Sequence, residues 1–383
     1  MSDKIKILYL GTNRVYMNPT IQLIYKAVGV STDMTCYGPG FQSDKVLSNG
    51  VCEFVSENGP FDFVLTDGVV LFFKNLKPFS TSYNYFDINS IENVVNDMRS
   101  YFKSCTLKKL FYPAIDYYNV TKEEIKVIED SNSYLITWGI EFHEYLDQCE
   151  DTKYESFMGK DENDNWINFV SRNESKIISI PQIIDNSEFN FLPLSSRKYE
   201  ISVPGASYYR RREAVKQLNK SQFNFKMNSS HTGIKQKLWN KVIRLQNRFS
   251  FNLNQVNFRN TIEDSKIIYT CGGCLKYPIR KFLEVPALGS ALFFEPFKGY
   301  EEFGFINGIN SIIIDDMDQI SEITKYNLNH LDELQEIATK GQALIWEKHS
   351  LFARGIQINQ SLKSISIHEF KGSYWEKGEF KLR

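Results

Sequence analysis

Lys4-Ile5-Lys6-Ile7-Leu8-Tyr9-Leu10 runs into Gly11-Thr12-Asn13, and much further on Tyr199-Glu200-Ile201-Ser202-Val203 runs into Pro204-Gly205. Each stretch reads as a buried strand that ends in a glycine turn. The first leads into an amphipathic helix with Ile21, Leu23, Ile24 and Val28 on its apolar side, and the second into a helix carrying Ala214, Val215 and Leu218. Strand, glycine turn and helix make the opening unit of a doubly wound α/β sheet. Two such openings in 383 residues predict two such sheets, since the chain is too long for one ordinary core.

The first half contains further strand patterns at Met34–Tyr37, Phe63–Thr66, Leu110–Ala114, Tyr134–Trp138 and Lys176–Ile180. The second half has them at Phe223–Met227, Lys266–Thr270, Ala291–Glu295 and Ser311–Ile314. Helical stretches separate most of them, which predicts parallel sheets covered on both faces. The boundary is expected within Pro181–Arg197, a stretch holding Pro181, Pro193 and Ser195-Ser196. The division is then an N-terminal domain over 1–190, a C-terminal domain over 191–361, and a tail over 362–383. Met317 to about Ser361 reads as almost wholly helical, and the segment from His368 has no clear periodicity.

Bulk properties narrow the classes. Hydrophobic residues make up 42% and charged residues 24% of the chain, as in globular proteins. A net charge of -1 supplies no global field for nucleic acid or an anionic membrane. There is no secretory leader pattern and no apolar run of membrane-spanning length, although peripheral membrane contact stays open. The expected setting is the cytoplasm, with reduced cysteines.

Chemistry-bearing residues concentrate between Tyr269 and Gly289. A strand ends at Gly272-Gly273, and a helix is expected to begin near Pro278. Glycines allow close backbone approach to a phosphate, and a helix start offers N–H groups and a positive dipole end. Arg280 and Lys281 in the first turn oppose the usual preference for acids there, which makes sense if an anion sits at that end. Glu284, one turn on, is placed to accept hydrogen bonds from vicinal hydroxyls such as those of a ribose. Pro286 would cost about 3 kcal/mol in a helix interior, so it implies a kink or a retained shape. An ordinary amphipathic helix with a solvated basic end is the competing reading.

The run Lys281-Phe282-Leu283-Glu284-Val285-Pro286-Ala287-Leu288-Gly289, followed by Ala291-Leu292-Phe293-Phe294, resembles the core motif of the CgeB-like, spore-coat-type glycosyltransferases. Phe303-Gly304-Phe305-Ile306-Asn307-Gly308, Asp315–Ile323, and Ile337-Ala338-Thr339-Lys340-Gly341 with His349 and Arg354 resemble the family's later elements in order. The series covers about Tyr199–Arg354. The first half is similar more weakly, through Leu10-Gly11, Tyr37-Gly38-Pro39-Gly40 and Pro60–Leu65. Two departures stand out: the family's arginine is Lys281 or is shifted to Arg280, and its H-T-Y is His349-Ser350-Leu351.

The resemblance implies a GT-B fold, with two Rossmann-like domains facing a central cleft. It implies transfer of a sugar from a nucleotide-sugar donor, with the counterpart of Glu284 on the ribose hydroxyls. The acceptor would be a hydroxyl of a glycan, a protein or a lipid-linked molecule. The nucleotide-sugar is a substrate and not a cofactor, and no metal is required. Expected donor-binding residues are Gly205, Arg210, Arg211, Gly272, Gly273, Tyr277, Arg280, Lys281 and Glu284. Of the run Arg210-Arg211-Arg212 beside the Gly205 turn, Arg210 or Arg211 is expected to clamp the diphosphate, since a guanidinium pairs phosphate oxygens bidentately. Asp116 and Asp67, each just past a strand end, are candidates for the base of an inverting reaction. His143 and His231 are weaker ones, and a retaining reaction would need no such base. Cys271 and Cys274 lack the second pair of a zinc site and read as ordinary thiols. A sugar epimerase or phosphorylase of the same fold, and a non-catalytic sugar-binding subunit, are the alternatives.

Overall fold

The computed structural model describes residues 4–13, 19–72, 88–113, 120–145, 160–228, 256–273 and 275–383. In the N-terminal half, β1 (Lys6–Leu10), β2 (Asp33–Tyr37), β3 (Phe63–Asp67), β4 (Lys108–Tyr112), β5 (Tyr134–Thr137) and β6 (Ile177–Ser179) form one parallel sheet in the order β2-β1-β3-β4-β5-β6. In the C-terminal half, β7 (Tyr199–Pro204), β8 (Phe225–Asn228), β9 (Ser265–Thr270), β10 (Ala291–Phe294) and β11 (Ile312–Ile313) form a second parallel sheet, ordered β11-β10-β9-β7-β8. Every residue of β3 and of β10 is buried. Strands covered on both faces lose the polar alternation of a one-sided sheet and read as continuous apolar runs.

Two apolar layers cover the first sheet. One gathers Leu8, Leu10, Val64, Phe111 and Leu135 with Val95, Met98 and Phe102 of the Ile88–Ser104 helix. The other gathers Ile7, Phe63, Leu65, Leu110 and Ile136 with Leu23, Ile24 and Val28 of the Pro19–Ser31 helix. That second layer also contains Ile358, Leu362 and Ile365, near the far end of the chain. These residues belong to the Leu351–Ser366 helix, which leaves the C-terminal half and packs on the Pro19–Ser31 helix. Gly355 permits the approach: a Cβ there would stand 2.7 Å from the Ala27 carbonyl oxygen. Ser31 Oγ donates to the Gly355 carbonyl at 2.9 Å. The last helix is therefore the brace between the halves, and the crossing begins at Ser350.

The tail is ordered too. β12 (Ser373–Glu376) and β13 (Glu379–Leu382) form an antiparallel hairpin turning at Lys377-Gly378, both with positive φ. Trp375 is its anchor, with Nε1 donating to the Ser179 carbonyl at 2.8 Å. Between the halves, Phe142 meets Phe303 edge-on at 5.1 Å, and Trp138 meets Tyr277 at 5.2 Å. These contacts bring the C-terminal ends of both sheets together, where ligands of doubly wound folds sit.

Candidate active site

The turn after β7 is where cationic side chains converge. Gly205 has φ +111, a conformation other residues adopt only under strain, and any Cβ there would run into Lys281 Nζ and stand 3.0 Å from Arg211 Nη1. Lys281 and Arg211 thus meet over one glycine. Arg211 is 2% exposed and turned inward from the Tyr209–Leu218 helix. Its guanidinium donates to the Ala206 carbonyl at 3.0 Å, Thr270 Oγ1 at 3.2 Å and the Cys271 carbonyl at 3.1 Å, and it covers the Tyr208 ring at 5.2 Å. Arg210 points elsewhere: its Nε pairs with Glu295 at 2.7 Å and its Nη1 with Glu213 at 3.4 Å. Of the two arginines left open by the sequence, Arg211 is the one beside Lys281.

Lys281 Nζ donates to the Pro204 carbonyl at 3.3 Å and lies 5.1 Å from the centre of the Phe258 ring. Burial and the nearby Arg211 charge push its pKa down to about 7, against the opposing pull of Glu284 and Cys271. Two cations sharing a partly dry corner are a poor arrangement for the protein alone and a good one for an anion. Gly272 and Gly273 flank this corner. The Gly272 carbonyl accepts from the Tyr277 N–H at 3.0 Å, and Gly273 lies beside the Tyr208 ring. Burial pushes the Cys271 thiol up, consistent with an unreactive side chain; Cys274 lies outside the described residues.

The following helix starts later than the sequence suggested, at Lys281 rather than near Pro278, and runs only to Ala287. Pro286 falls in its last turn, so no long helix is interrupted. Arg280 occupies the cap position, and its charge is answered by the protein itself. Nη2 reaches Glu188 Oε1 and Oε2 at 2.5 and 2.6 Å, and Nη1 contacts Glu284 Oε1. Burial works against the charged guanidinium, but Glu284 and Glu188 outweigh it and raise its pKa. Arg280 is thus brought to Glu284, and the anion expected at that end is a pair of the chain's own carboxylates. Glu284, Glu188, Ile184, Val256, Phe258, Arg259, Ala287 and Leu288 line a cavity of about 200 Å³.

Tyr277 is placed differently from the other donor-side candidates. It is buried against the N-terminal half, its hydroxyl bonded to Asn163 and its ring facing Trp138 and His143. Asp67 is 1% exposed. Its Oδ2 accepts from the Tyr9 hydroxyl at 2.8 Å, and its Oδ1 accepts from the N–H groups of Val69 and Val70 at 2.8 and 3.3 Å, which tie down the start of the Gly68–Phe72 helix. His143 is buried and held neutral, its pKa pushed down to about 4 by burial. Asp116 and His231 lie outside the described residues. Sequence reasoning missed Glu188, which sits 92 positions before its partner Arg280. Nothing local announces a contact at that separation.

His349 and Arg354 form a buried clasp. His349 Nε2 donates to the Phe303 carbonyl at 2.8 Å, its Nδ1 accepts from Arg354 Nη2 at 2.6 Å, and its ring stacks on Phe303 and Trp375. Burial first, then the Arg354 charge, hold the imidazole well below its usual pKa and so neutral. Ser350 caps the last helix by accepting from the Ala353 N–H at 3.3 Å.

Comparison with known proteins agrees with this architecture. A family profile described as glycosyl transferase-like matches residues 210–360. No curated protein sequence matches the chain. Among solved structures, Anabaena Alr3699/HepE in complex with UDP and glucose is similar with a TM-score of 0.51 at 10% identity, covering 94% of this chain and 100% of that one. Its complex with UDP-glucose gives 0.50 at 10% identity over the same shares. Sucrose-phosphate synthase from Thermosynechococcus elongatus gives 0.52 at 9% identity, covering 95% of this chain and 100% of that one. The fold is that of the GT-B glycosyltransferases, two Rossmann-like domains joined by a brace from the chain's end. Among the described residues, no helix is long and apolar enough to cross a membrane, and no cluster of His, Cys, Asp and Glu could hold a metal ion.

Proposed function

We propose that the chain is a glycosyltransferase that moves a sugar from a nucleoside-diphosphate donor to an acceptor hydroxyl. The observation that carries this reading is the convergence of Lys281 and Arg211 over Gly205, next to a cavity bearing Glu284. In such a reaction the bond between the anomeric carbon and the diphosphate oxygen breaks, and negative charge grows on the leaving diphosphate. Arg211 and Lys281 stabilise that charge, the part a divalent ion plays in other enzymes. Glu284 accepts hydrogen bonds from the ribose, through the oxygen that Arg280 leaves open. UDP-glucose, present in one complex of the Anabaena protein, is the first donor to try, with UDP, present in another, as the nucleotide alone.

The ordered motifs from Lys281 to Arg354 support placing the chain with the CgeB-like enzymes in particular. Its acceptor is then a hydroxyl of a glycan, a protein or a lipid-linked molecule. On sequence grounds Asp116 is the base if the reaction inverts; Asp67, closed off and bonded through both oxygens, is the lesser candidate.

The test is calorimetric titration with nucleotide-sugars in buffer containing chelator, on the wild type and on E284Q. We expect the wild type to bind one of them without added metal. E284Q removes a charged acceptor and should weaken binding about tenfold or more while leaving the fold intact. Equal affinity in the two proteins would remove Glu284 from the site. Binding that appears only after adding magnesium or manganese would overturn the metal-independent reading.

A further inference from the structure

Arg280 stands between two carboxylates and is held from the far side. Glu188 takes Nη2 with both of its oxygens, while the Ile183 carbonyl accepts from Nε at 3.4 Å. Both of these groups come from the segment that joins the two domains. Glu188 is itself pre-aimed. Its Oε1 accepts from the Asp185 N–H at 3.0 Å, and Asp185 in turn accepts from the Ser187 N–H at 3.0 Å, a reciprocal cap on the Asn186–Glu188 turn. Asp185 also lies 3.9 Å from Lys26 Nζ, on the Pro19–Ser31 helix of the N-terminal domain. Only Nη1 of Arg280 is left for Glu284, and it takes one oxygen; the other has no partner among the described residues.

We infer that Glu188 is a positioning residue for the donor site: by anchoring Arg280 to the linker, it leaves Glu284 an oxygen to present to the ribose hydroxyls. The inference rests on the glycosyltransferase reading and adds a residue to it. A guanidinium is a planar fork that prefers to grip a carboxylate with two parallel N–H groups. Without Glu188, Arg280 is free to turn that fork onto Glu284 and occupy both oxygens. The ribose hydroxyls would then compete with an intramolecular pair. Because Glu188 sits on the linker and Asp185 faces Lys26, domain placement and ribose recognition share one set of contacts.

The experiment compares dissociation constants for UDP, ADP and GDP with those of their 2′,3′-dideoxy analogues, in the wild type, E188Q and E188D. The readout is the ratio of the dideoxy to the ribo dissociation constant for the tightest base, which isolates the hydroxyl contacts. We expect a ratio of about ten or more in the wild type. It should fall to near one in E188Q and recover at least partly in E188D, which keeps the charge. A wild-type ratio retained in E188Q overturns the inference, including the case where E188Q weakens both analogues by the same factor, as a purely structural role would. A ratio near one in the wild type fails earlier, because it removes the ribose contact of Glu284 itself.

Discussion

Affinity for a nucleoside diphosphate is expected to fall as pH rises above about 7, by up to tenfold per pH unit. The reason is Lys281. In the free protein, burial and the adjacent Arg211 hold its pKa down to about 7, with Glu284 and Cys271 pulling the other way. Below that pH it is charged and ready for an anion. Above it the free protein carries a neutral amine, while a bound diphosphate favours the ammonium, so binding must take up a proton. A phosphate's own last ionisation, near about pH 6, lies below this window. From pH 7 to 9 the accumulated loss approaches about 50-fold. K281R should flatten the profile, because a guanidinium stays charged throughout. Binding titrations from pH 6 to 9 decide the matter. A wild-type affinity independent of pH, or a slope that survives in K281R, would exclude Lys281 from the phosphate site.

The second large effect is structural. R354A is expected to lower stability by about 3 kcal/mol or more and to loosen the C-terminal hairpin. Arg354 is fully buried among Gln357 Oε1 at 2.9 Å, the Gln182 carbonyl at 3.3 Å, His349 Nδ1 at 2.6 Å and the Trp375 ring at 4.4 Å. No carboxylate touches it among the described residues, and burial pushes its pKa well below the usual guanidinium value. The neutral acceptors and the ring face are what offset that cost. Truncation leaves a cavity, strands the His349 acceptor and removes the surface on which Trp375 rests. Thermal unfolding should shift down, and hydrogen exchange should quicken in Ser373–Leu382 before it does in β3. Unchanged exchange in the hairpin would mean that Arg354 does not hold it.

The parallel strands were legible in the sequence because burial on both faces writes them as short apolar runs, and their observed limits differ from expectation by only a residue or two. The glycine turns at Gly205 and Gly272 were legible for a related reason, since each closes such a run. The hairpin at Ser373–Leu382 was not. Its apolar content is thin, and Trp375 is buried by β6 and His349, contacts that no local pattern encodes. The one available signal was Lys377-Gly378, a two-residue turn of the kind that joins twisted strands. At the site, the sequence brought Arg210 and Arg211 forward together, and only the direction each takes from the helix separates them. Arg280 looked like a phosphate ligand because its two carboxylate partners could not be seen: Glu188 is remote in the chain, and Glu284 was read only for the ribose.

The most direct test of the central claim is a crystal structure of the protein with a bound nucleoside diphosphate, beginning with UDP. The diphosphate is expected between the Gly205 turn and the side chains of Lys281 and Arg211, with the ribose hydroxyls on Glu284 in the cavity beside Phe258. A nucleotide bound at the N-terminal sheet, or one in the C-terminal domain that touches neither Lys281 nor Glu284, would contradict it.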